Sequence, residues 1–441
     1  MRVIITGAGQ VGASIAASLA ADHDVIVIDI DGERVEELTY SLDVLAIKGD
    51  GTSLSTLKEA GIETADLFIA STNNDETNVV ACATATAVSD PFTIARVKQT
   101  NYLETWNQTG NTFGVDFMVC TDLLTAETIV RVIGLPSSQN VDIFAGGRIL
   151  MAEFRVPSGS PVAGQTVKNA DNFIELTFVG ILRGDSVIIP TGDTVIEAGD
   201  DLVVIGSPES THAFAGVLSP DHTEDQDIVI VGGSQTGVQT ARLLEDRDRH
   251  PRLIENDHER ARELAEELVG TTVMESDATD REFLDREHVG DADVVIATLG
   301  SDEKNLLASL LAERLGVDRT ITVVETTEYT DLFEAVGVGA AINPRDATAE
   351  EIIRFTHGTE NVALVEHGCA EVLEIEVSPG SILENRSISE SMADLPTQVV
   401  VGAITRNGSV ITPRGDTVIE SGDHVVLFAE TAAVETVAKM V

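Results

Sequence analysis

Two glycine-rich segments of this 441-residue chain have the residue types and spacing of nucleotide-binding loops. Each follows a short run of β-branched residues and precedes a helical stretch: they are Gly7-Ala8-Gly9-Gln10-Val11-Gly12 and Gly232-Gly233-Ser234-Gln235-Thr236-Gly237. This order is typical of dinucleotide-binding β-α-β units. Gly7 is predicted to allow a tight turn, Gly9 to let the backbone approach a pyrophosphate, and Gly12 to let the helix pack close to the sheet. Phosphate oxygens would then bind the free N–H groups at the start of the helix.

An acidic residue ends the next predicted strand after each loop. Asp29 and Glu255 both follow apolar runs, and the offset between them is 226 residues, against 225 between Gly7 and Gly232. A carboxylate at this position accepts hydrogen bonds from the adenosine ribose. Because the same carboxylate repels a 2′-phosphate, Asp29 predicts binding of NAD(H) in preference to its phosphorylated form.

Other polar residues of the first repeat fall at the carboxyl ends of predicted strands, the edge where ligands bind in open α/β sheets. Asp50 and Gly51 follow the third strand, Thr72 and Asn73 follow the fourth, and Arg96 ends the fifth. We expect these residues to line the nucleotide site. Arg96 is expected to pair with a phosphate or with a neighbouring domain, and the alternative is a solvated surface arginine.

The second repeat departs from the first at positions that matter for binding. Ser234 stands where Gly9 stands, which adds a side chain where the backbone has to approach the phosphates. Val324 and Glu325 occupy the region of Arg96, so the cation is replaced by an apolar residue and an anion. Glu255 still favours a ribose. The sequence therefore predicts a weaker, altered or vacant second site.

Motifs further along the chain recur in the second half at nearly the same offset. The last of them is a Gly-Asp-rich segment, at 190–200 in the first half and at 413–423 in the second. The predicted fold is α/β, with two tandem Rossmann-like parallel-sheet domains, each followed by a small β-rich α+β domain. The predicted boundaries are a Rossmann-like domain at 1–120, a crossover helix at 121–135, a β-rich domain at 141–218, a linker at 219–226, a second Rossmann-like domain at 227–344, a crossover helix at 345–358 and a second β-rich domain at 362–441.

The formal net charge of −46, from 74 acidic and 28 basic residues, argues against nucleic acid as a partner. The acidic residues are spread through both halves, and strong apolar periodicity argues against disorder. We interpret this composition as adaptation to the molar-salt cytoplasm of an extreme halophile, where the screening length falls to ~3 Å.

No apolar run approaches the ~18–20 residues of a transmembrane helix, so direct membrane insertion is not expected. The first predicted strand begins at Val3, which leaves no room for a signal peptide. Cys82, Cys120 and Cys369 are single and far apart, so neither a disulfide framework nor a metal site is predicted, and a reducing cytoplasm fits.

No catalytic residues are predicted. A hydride-transfer enzyme needs a substrate domain that places an acid or base beside the nicotinamide, and here only small β-rich segments follow each Rossmann-like unit. Tyr40, Tyr102 and Tyr329 lack the Tyr-x-x-x-Lys spacing, and the nine histidines lack metal-ligand spacing. We therefore interpret the protein as a ligand sensor, with an NAD-dependent oxidoreductase as the alternative from another class.

Over essentially its whole length the chain resembles the peripheral regulatory subunits of Trk potassium-uptake systems, the TrkA family, which are built from two tandem RCK units. The resemblance rests on the first glycine loop, on Asp29, on segments 49–52, 72–78 and 95–97, and on the Gly-Asp-Thr-Val-Ile-Glu-x-Gly-Asp tail of both halves.

The resemblance implies that the protein binds NAD(H), or ATP or ADP in its place, and assembles into a homo-oligomeric ring, expected to be a tetramer. It also implies a location at the inner face of the cell membrane, where the ring gates a membrane-embedded Trk-type potassium translocation subunit. Helices at 125–131 and 348–354 would transmit the effect of the ligand. Regulation of an antiporter or of another cation channel is the alternative within the same class.

Overall fold

The structure, a computed structural model, describes residues 1–20, 23–109, 113–135, 138–184, 186–218, 226–356, 362–365, 370–393, 395, 399–406, 408–431 and 433. Most of the predicted linker 219–226, the end of the predicted helix 345–358 and Cys369 lie outside these residues. The contacts divide the chain into two compact units. The Rossmann unit consists of Met1–Ile129 and Asp227–Ile353, and the β-rich unit consists of Val130–Gln226 and Arg354–Val441.

The first Rossmann-like domain is a parallel sheet covered by helices. Its strands are β1 (Arg2–Thr6), β2 (Asp24–Asp29), β3 (Leu45–Lys48), β4 (Leu67–Ala70), β5 (Phe92–Val97) and β6 (Phe117–Cys120), and its helices are α1 (Gln10–Leu19), α2 (Gly32–Ser41), α3 (Leu54–Glu59), α4 (Asp75–Thr86), α5 (Thr100–Thr109) and α6 (Thr121–Gly134). The strand order is β3-β2-β1-β4-β5-β6, and every pair is parallel. The apolar run of β1 is fully buried because both faces of the sheet are covered.

The first β-rich domain is an antiparallel sheet with two short helices. Its elements are β7 (Ser138–Phe144), β8 (Ile149–Arg155), α7 (Val167–Ala170), β9 (Leu176–Arg183), β10 (Ser186–Ile188), β11 (Asp201–Gly206) and α8 (Pro208–Leu218). The strand order is β10-β9-β11-β8-β7.

The second Rossmann-like domain repeats the first. Its strands are β12 (Ile228–Val231), β13 (Arg252–Glu255), β14 (Thr272–Glu275), β15 (Val294–Ala297), β16 (Arg319–Val323) and β17 (Ala340–Ile342), and its helices are α9 (Gln235–Glu245), α10 (His258–Glu267), α11 (Arg281–Arg286), α12 (Asp302–Leu315), α13 (Thr330–Ala335) and α14 (Pro344–Thr356). The order β14-β13-β12-β15-β16-β17 matches that of the first sheet.

The second β-rich domain has the order β18-β19-β24-β21-β22, and β20 pairs with β23 beside this sheet. Its elements are β18 (Val362–Leu364), β19 (Ala370–Glu376), β20 (Arg386–Ser387), α15 (Ile388–Met392), β21 (Val399–Arg406), β22 (Ser409–Ile411), β23 (Val418–Ile419) and β24 (His424–Glu430). The predicted fold class, two tandem Rossmann-like sheets each followed by a small β-rich domain, is confirmed.

Within the Rossmann unit, the two Rossmann-like domains share a hydrophobic core through α14. Ala349, Ile352 and Ile353 of this helix are buried in the same cluster as Ile5 and Ile69 of the first sheet. A helix that follows the second sheet therefore completes the core of the first.

Within the β-rich unit, the two sheets pack face to face around equivalent glycines. A Cβ atom on Gly180 would lie 2.8 Å from the Phe428 ring, and one on Gly402 would lie 2.5 Å from Ile205. Phe428 and Ile205 belong to one buried cluster that spans both β-rich domains. Glycine at these two positions permits the close approach of the sheets.

No helix among the described residues is long and apolar enough to cross a bilayer. Within the same part of the chain, no group of three or more His, Cys, Asp or Glu side chains is placed to hold a metal ion. Cys82 and Cys120 are buried free thiols, and burial raises the pKa of Cys120 to about 11.

Candidate nucleotide-binding site

The first glycine loop joins β1 to α1 by a turn that requires glycine at two places. Gly7 has a φ of 103°, a conformation that L side chains rarely adopt. A Cβ atom on Gly12 would overlap the carbonyl oxygen of Gly7 and lie 2.9 Å from Ser71 Oγ, so glycine lets α1 sit close to the sheet. These geometries are the ones that the sequence predicts for the two positions.

Gly9 has no comparable packing reason to be glycine. It precedes the first residue of α1, and no side chain caps the helix there. A Cβ atom on Gly9 would meet no protein atom closer than Arg34 Nη1 at 3.8 Å. The free N–H groups at this helix start therefore face an open space suited to an anion.

Asp29 lies at the end of β2 and is only 9% exposed. One carboxylate oxygen accepts from the Ala8 amide at 2.5 Å, and the other accepts from the Asp31 amide at 2.8 Å. Each oxygen keeps a second lone pair for a further donor. Asp29 thus shapes the loop and remains able to accept from a ribose hydroxyl.

A cleft of about 900 Å³ opens along the carboxyl edge of the first sheet. The predicted site residues that line it are Gly7, Ala8, Gly9, Gln10, Val11, Asp29, Asp50, Gly51, Thr72, Asn73 and Arg96. Gly12 lies beneath the loop. Asp50 is exposed, and hydrogen bonds from the amide and hydroxyl of Thr52 lower the pKa of its carboxyl. The structure therefore brings the predicted residues of the first repeat together around one space.

Arg96 is the one cation of this set, and it is buried, with 3% of its surface exposed. Its Nε donates to Thr121 Oγ1 at 3.0 Å, and Nη1 lies 3.4 Å from Asn73 Oδ1. Among the described residues, no carboxylate forms an ion pair with Arg96. Burial, and then the nearby Arg345, lower the pKa of the guanidinium, while the charges of three neighbouring carboxylates partly oppose this shift.

Buried Asn78 holds the β5 edge in place from α4. Its Nδ2 donates to the carbonyl oxygens of Arg96 at 2.8 Å and of Thr72 at 3.0 Å, while its Oδ1 accepts from the Thr72 amide at 2.9 Å. Asn305 makes the equivalent bonds to Val323 and Leu299 in the second repeat. The residue in the position of Arg96 is therefore Val323, which corrects the prediction that Val324 and Glu325 occupy it.

The second glycine loop has the same backbone path but a different helix start. Gly232 has a φ of 107°, and Glu255 accepts from the Gly233 amide at 2.8 Å. Ser234, however, caps α9 through its hydroxyl, which accepts from the Gly237 amide at 3.2 Å. The cap satisfies one of the N–H groups at this helix start, so fewer free donors remain for a phosphate than at the start of α1. Gln235 begins the helix and is exposed.

The remaining predicted residue of the second loop, Thr236, faces the first repeat. Its hydroxyl donates to Asp122 Oδ1 of α6 at 3.0 Å. Burial raises the pKa of Asp122. A carboxylate thus lies beside the second loop, where it disfavours an anionic ligand.

Comparison with known proteins places these observations in a family. The TrkA-N domain family matches residues 3–120 and 228–344, and the TrkA-C domain family matches 151–219 and 372–441. This chain belongs to the TrkA family. It is 37% identical to a Trk system potassium uptake protein TrkA homolog of Archaeoglobus fulgidus, over 99% of both chains.

A second TrkA-family relative is the Trk system potassium uptake protein TrkA of Halomonas elongata, 32% identical over 97% of this chain and 95% of the relative. Among solved structures, the GsuK channel bound to NAD aligns with a TM-score of 0.61 at 19% identity, covering 100% of this chain and 78% of that one. At this identity the structural likeness concerns the fold.

Two arginines in the cleft of this TrkA-family chain were missed by sequence reasoning. Arg34 of α2 and Arg345 of α14 both line it. Arg34 stands five positions after Asp29, so a search for cations near the acidic residue could have found it. Nothing in the sequence signals Arg345, because it belongs to the second repeat and reaches the first only through tertiary packing.

Proposed function

We propose that this TrkA-family protein is a regulatory subunit that binds NAD(H), or ATP or ADP, in the first Rossmann-like domain and gates a Trk-type potassium-uptake channel. The names of the full-length relatives support the link to potassium uptake. The NAD-bound GsuK channel, which has the same fold, supports the dinucleotide.

The buried cation Arg96 carries the proposal for the ligand. A buried guanidinium without a carboxylate partner is costly to desolvate, and an anionic ligand offsets that cost. Arg96 lies on the same cleft as the uncapped helix start at Gly9. Two independent features, a cation and a row of free N–H groups, therefore favour phosphate in the first domain.

The other end of the cleft suits a nucleoside. Asp29 ends β2, the strand next to β1, and accepts from the Ala8 amide of the glycine loop. Its remaining lone pairs are placed to accept from the ribose hydroxyls. We infer that the nucleotide lies across the loop with its ribose at Asp29 and its phosphates toward Arg96. The site holds and orients the nucleotide, and we expect no turnover of NADH.

The second domain is expected to bind nucleotide weakly or not at all. Three features oppose binding there: the capped start of α9, the carboxylate of Asp122 and the apolar Val323. We propose that its role is assembly and signal relay. The active form would be a homo-oligomeric ring, expected to be a tetramer, bound to its channel at the inner face of the cell membrane.

Replacing Arg96 by glutamine tests the proposed function at two levels. Thermal unfolding of purified Arg96→Gln should show no stabilisation by NADH or ADP, whereas the unmodified protein melts at a higher temperature with ligand. Cells that lack the native gene and carry Arg96→Gln should need more external potassium for growth than cells with the unmodified gene.

The matched control is Arg260→Gln. Arg260 lies beside the second glycine loop, with Nε 3.5 Å from the Gly233 carbonyl oxygen. This variant should keep both the ligand-induced stabilisation and growth at low potassium. Full nucleotide binding by Arg96→Gln would contradict the proposed site, and normal growth of cells without the gene would contradict the proposed role in uptake.

A further inference from the structure

Arg345, the second residue of α14, reaches the nucleotide cleft of the other repeat. Its Nη1 hydrogen-bonds Gln10 Oε1, at the first residue of α1, and its Nη2 lies 3.5 Å from Glu325. Gln10 adjoins the uncapped helix start. The guanidinium thus lies where phosphates would meet the N–H groups of α1, within the Rossmann unit that contains both repeats.

The contacts of Arg345 are weak enough for a ligand to replace. Gln10 is exposed and neutral, and Glu325 is 48% exposed at a distance longer than a strong ion pair. A charge-assisted hydrogen bond to phosphate is about twice as strong as a neutral one. A bound phosphate therefore favours transfer of the guanidinium from Gln10 to the ligand.

The equivalent position in the first repeat carries the opposite charge. Asp122, the second residue of α6, contacts Thr236 at the second glycine loop as Arg345 contacts Gln10 at the first. The helices α6 and α14 thus each place one charged residue in contact with the glycine loop of the other repeat. The first loop receives a cation and the second an anion, so only the first gains attraction for phosphate.

A second contact ties the same helix to Arg96. Arg96 Nε donates to Thr121 Oγ1, and the hydroxyls of Thr121 and Thr348 lie 3.1 Å apart. Thr348 is one helical turn from Arg345 on α14. Arg96 and Arg345 are therefore both connected to this helix, which begins in the Rossmann unit and ends in the β-rich unit.

We propose that Arg345 is a phosphate-binding residue of the first-domain site, supplied by the second repeat, and that α14 thereby reads whether a nucleotide polyphosphate is bound. The proposal rests on the proposed nucleotide function and adds its means of regulation. The second repeat binds no ligand of its own in this scheme. It provides the cation that detects ligand in the first.

The test is calorimetric titration of the unmodified protein and Arg345→Gln with adenosine, ADP and NADH at one salt concentration. Arg345→Gln should bind ADP and NADH roughly ten- to a hundred-fold more weakly. Adenosine, which has no phosphate, should bind both proteins within about two-fold. Arg314→Gln, on the exposed side of α12 and outside the cleft, is the matched control and should behave as the unmodified protein.

Amide hydrogen exchange of the first turn of α14 gives the second measurement. ADP should slow exchange at 345–349 in the unmodified protein and in Arg314→Gln but not in Arg345→Gln. Unchanged affinity of Arg345→Gln for ADP, or equal weakening for adenosine, overturns the proposal while leaving the nucleotide function intact. Failure of the unmodified protein to bind any of the three ligands overturns both.

Discussion

At the scale of single residues, three substitutions between equivalent positions separate a site that attracts phosphate from one that does not. Gly9 is replaced by the capping residue Ser234, buried Arg96 by Val323, and the incoming cation Arg345 by Asp122. The backbone of the two loops is otherwise alike, with φ of 103° at Gly7 and 107° at Gly232. Duplication has kept the loop and changed its chemistry.

Gly9→Ser should convert the first loop into a copy of the second. Space for the new Cβ exists, because the nearest protein atom is 3.8 Å away, and the hydroxyl can cap α1 as Ser234 caps α9. We expect unliganded stability to be unchanged or higher by about a few tenths of a kcal/mol, while NADH affinity falls at least ten-fold by calorimetry. Ser234→Gly is the control with unchanged affinity, and tight binding by Gly9→Ser would refute the assignment of the helix start.

Asp29→Asn should reduce the preference for NADH over NADPH. The unmodified carboxylate repels a 2′-phosphate. The neutral amide keeps the side-chain shape but replaces one acceptor oxygen by a donor, so either the Ala8 amide or the Asp31 amide loses its partner. Competition of NADPH against NADH measures the preference. We expect the ratio of the two affinities to fall roughly ten-fold. Glu255→Gln, which changes the same role in the second repeat, should leave it unchanged. Equal binding of both dinucleotides by the unmodified protein would be the contrary result.

The residues that sequence reasoning found are those whose roles are local. Gly7, Gly12 and Asp29 act within one β-α-β unit, so their spacing along the chain is sufficient to predict where they lie. Arg345 was not found, because 335 residues separate it from Gln10. Its role depends on how the two repeats pack, which no local pattern encodes. The counterpart of Arg96 was misplaced by one position, since offsets between repeats drift where loops differ in length.

At the scale of elements, the edge of each parallel sheet depends on one asparagine. Asn78 on α4 and Asn305 on α12 are buried, and each ties the loop after one strand to the end of the next strand. Such a side chain satisfies backbone groups that lie beyond the last paired residues of the two strands. It fixes the carbonyl of Arg96 in the first domain and that of Val323 in the second.

Asn78→Ala should loosen the first sheet edge and weaken nucleotide binding together. Leaving buried amide and carbonyl groups without partners costs about 2–4 kcal/mol, which hydrogen exchange of β4 and β5 amides measures. Asn305→Ala should lose similar protection in β15 and β16 but keep nucleotide affinity, since Arg96 is untouched. Loss of binding in Asn305→Ala alone would show that the ligand lies in the second domain.

At the scale of the whole molecule, the compact units are not the two halves of the sequence. The repeat predicts the Rossmann-like and β-rich folds, because apolar periodicity and turn residues act locally. It does not predict that equivalent domains associate, since the contacts of Ala349 with the first sheet and of Gly180 with Phe428 join distant parts of the chain. Each unit is therefore built jointly by both repeats.

Salt should control the stability of the molecule. With a net charge of −46, self-repulsion rises as the screening length grows from ~3 Å at 1 M to ~30 Å at 0.01 M salt. We expect the melting temperature followed by circular dichroism to fall steadily as potassium chloride is diluted from 3 M, with loss of assembly in light scattering. A melting temperature and mass that do not change down to 0.05 M would contradict adaptation to molar salt.

The number of nucleotides bound per chain tests the central claim most directly. Calorimetric titration with NADH in molar potassium chloride should give one site per chain. That site should persist in Glu255→Gln and Ser234→Gly and disappear in Arg96→Gln. Two equivalent sites per chain, or one site that survives loss of Arg96, would contradict the assignment of nucleotide sensing to the first Rossmann-like domain.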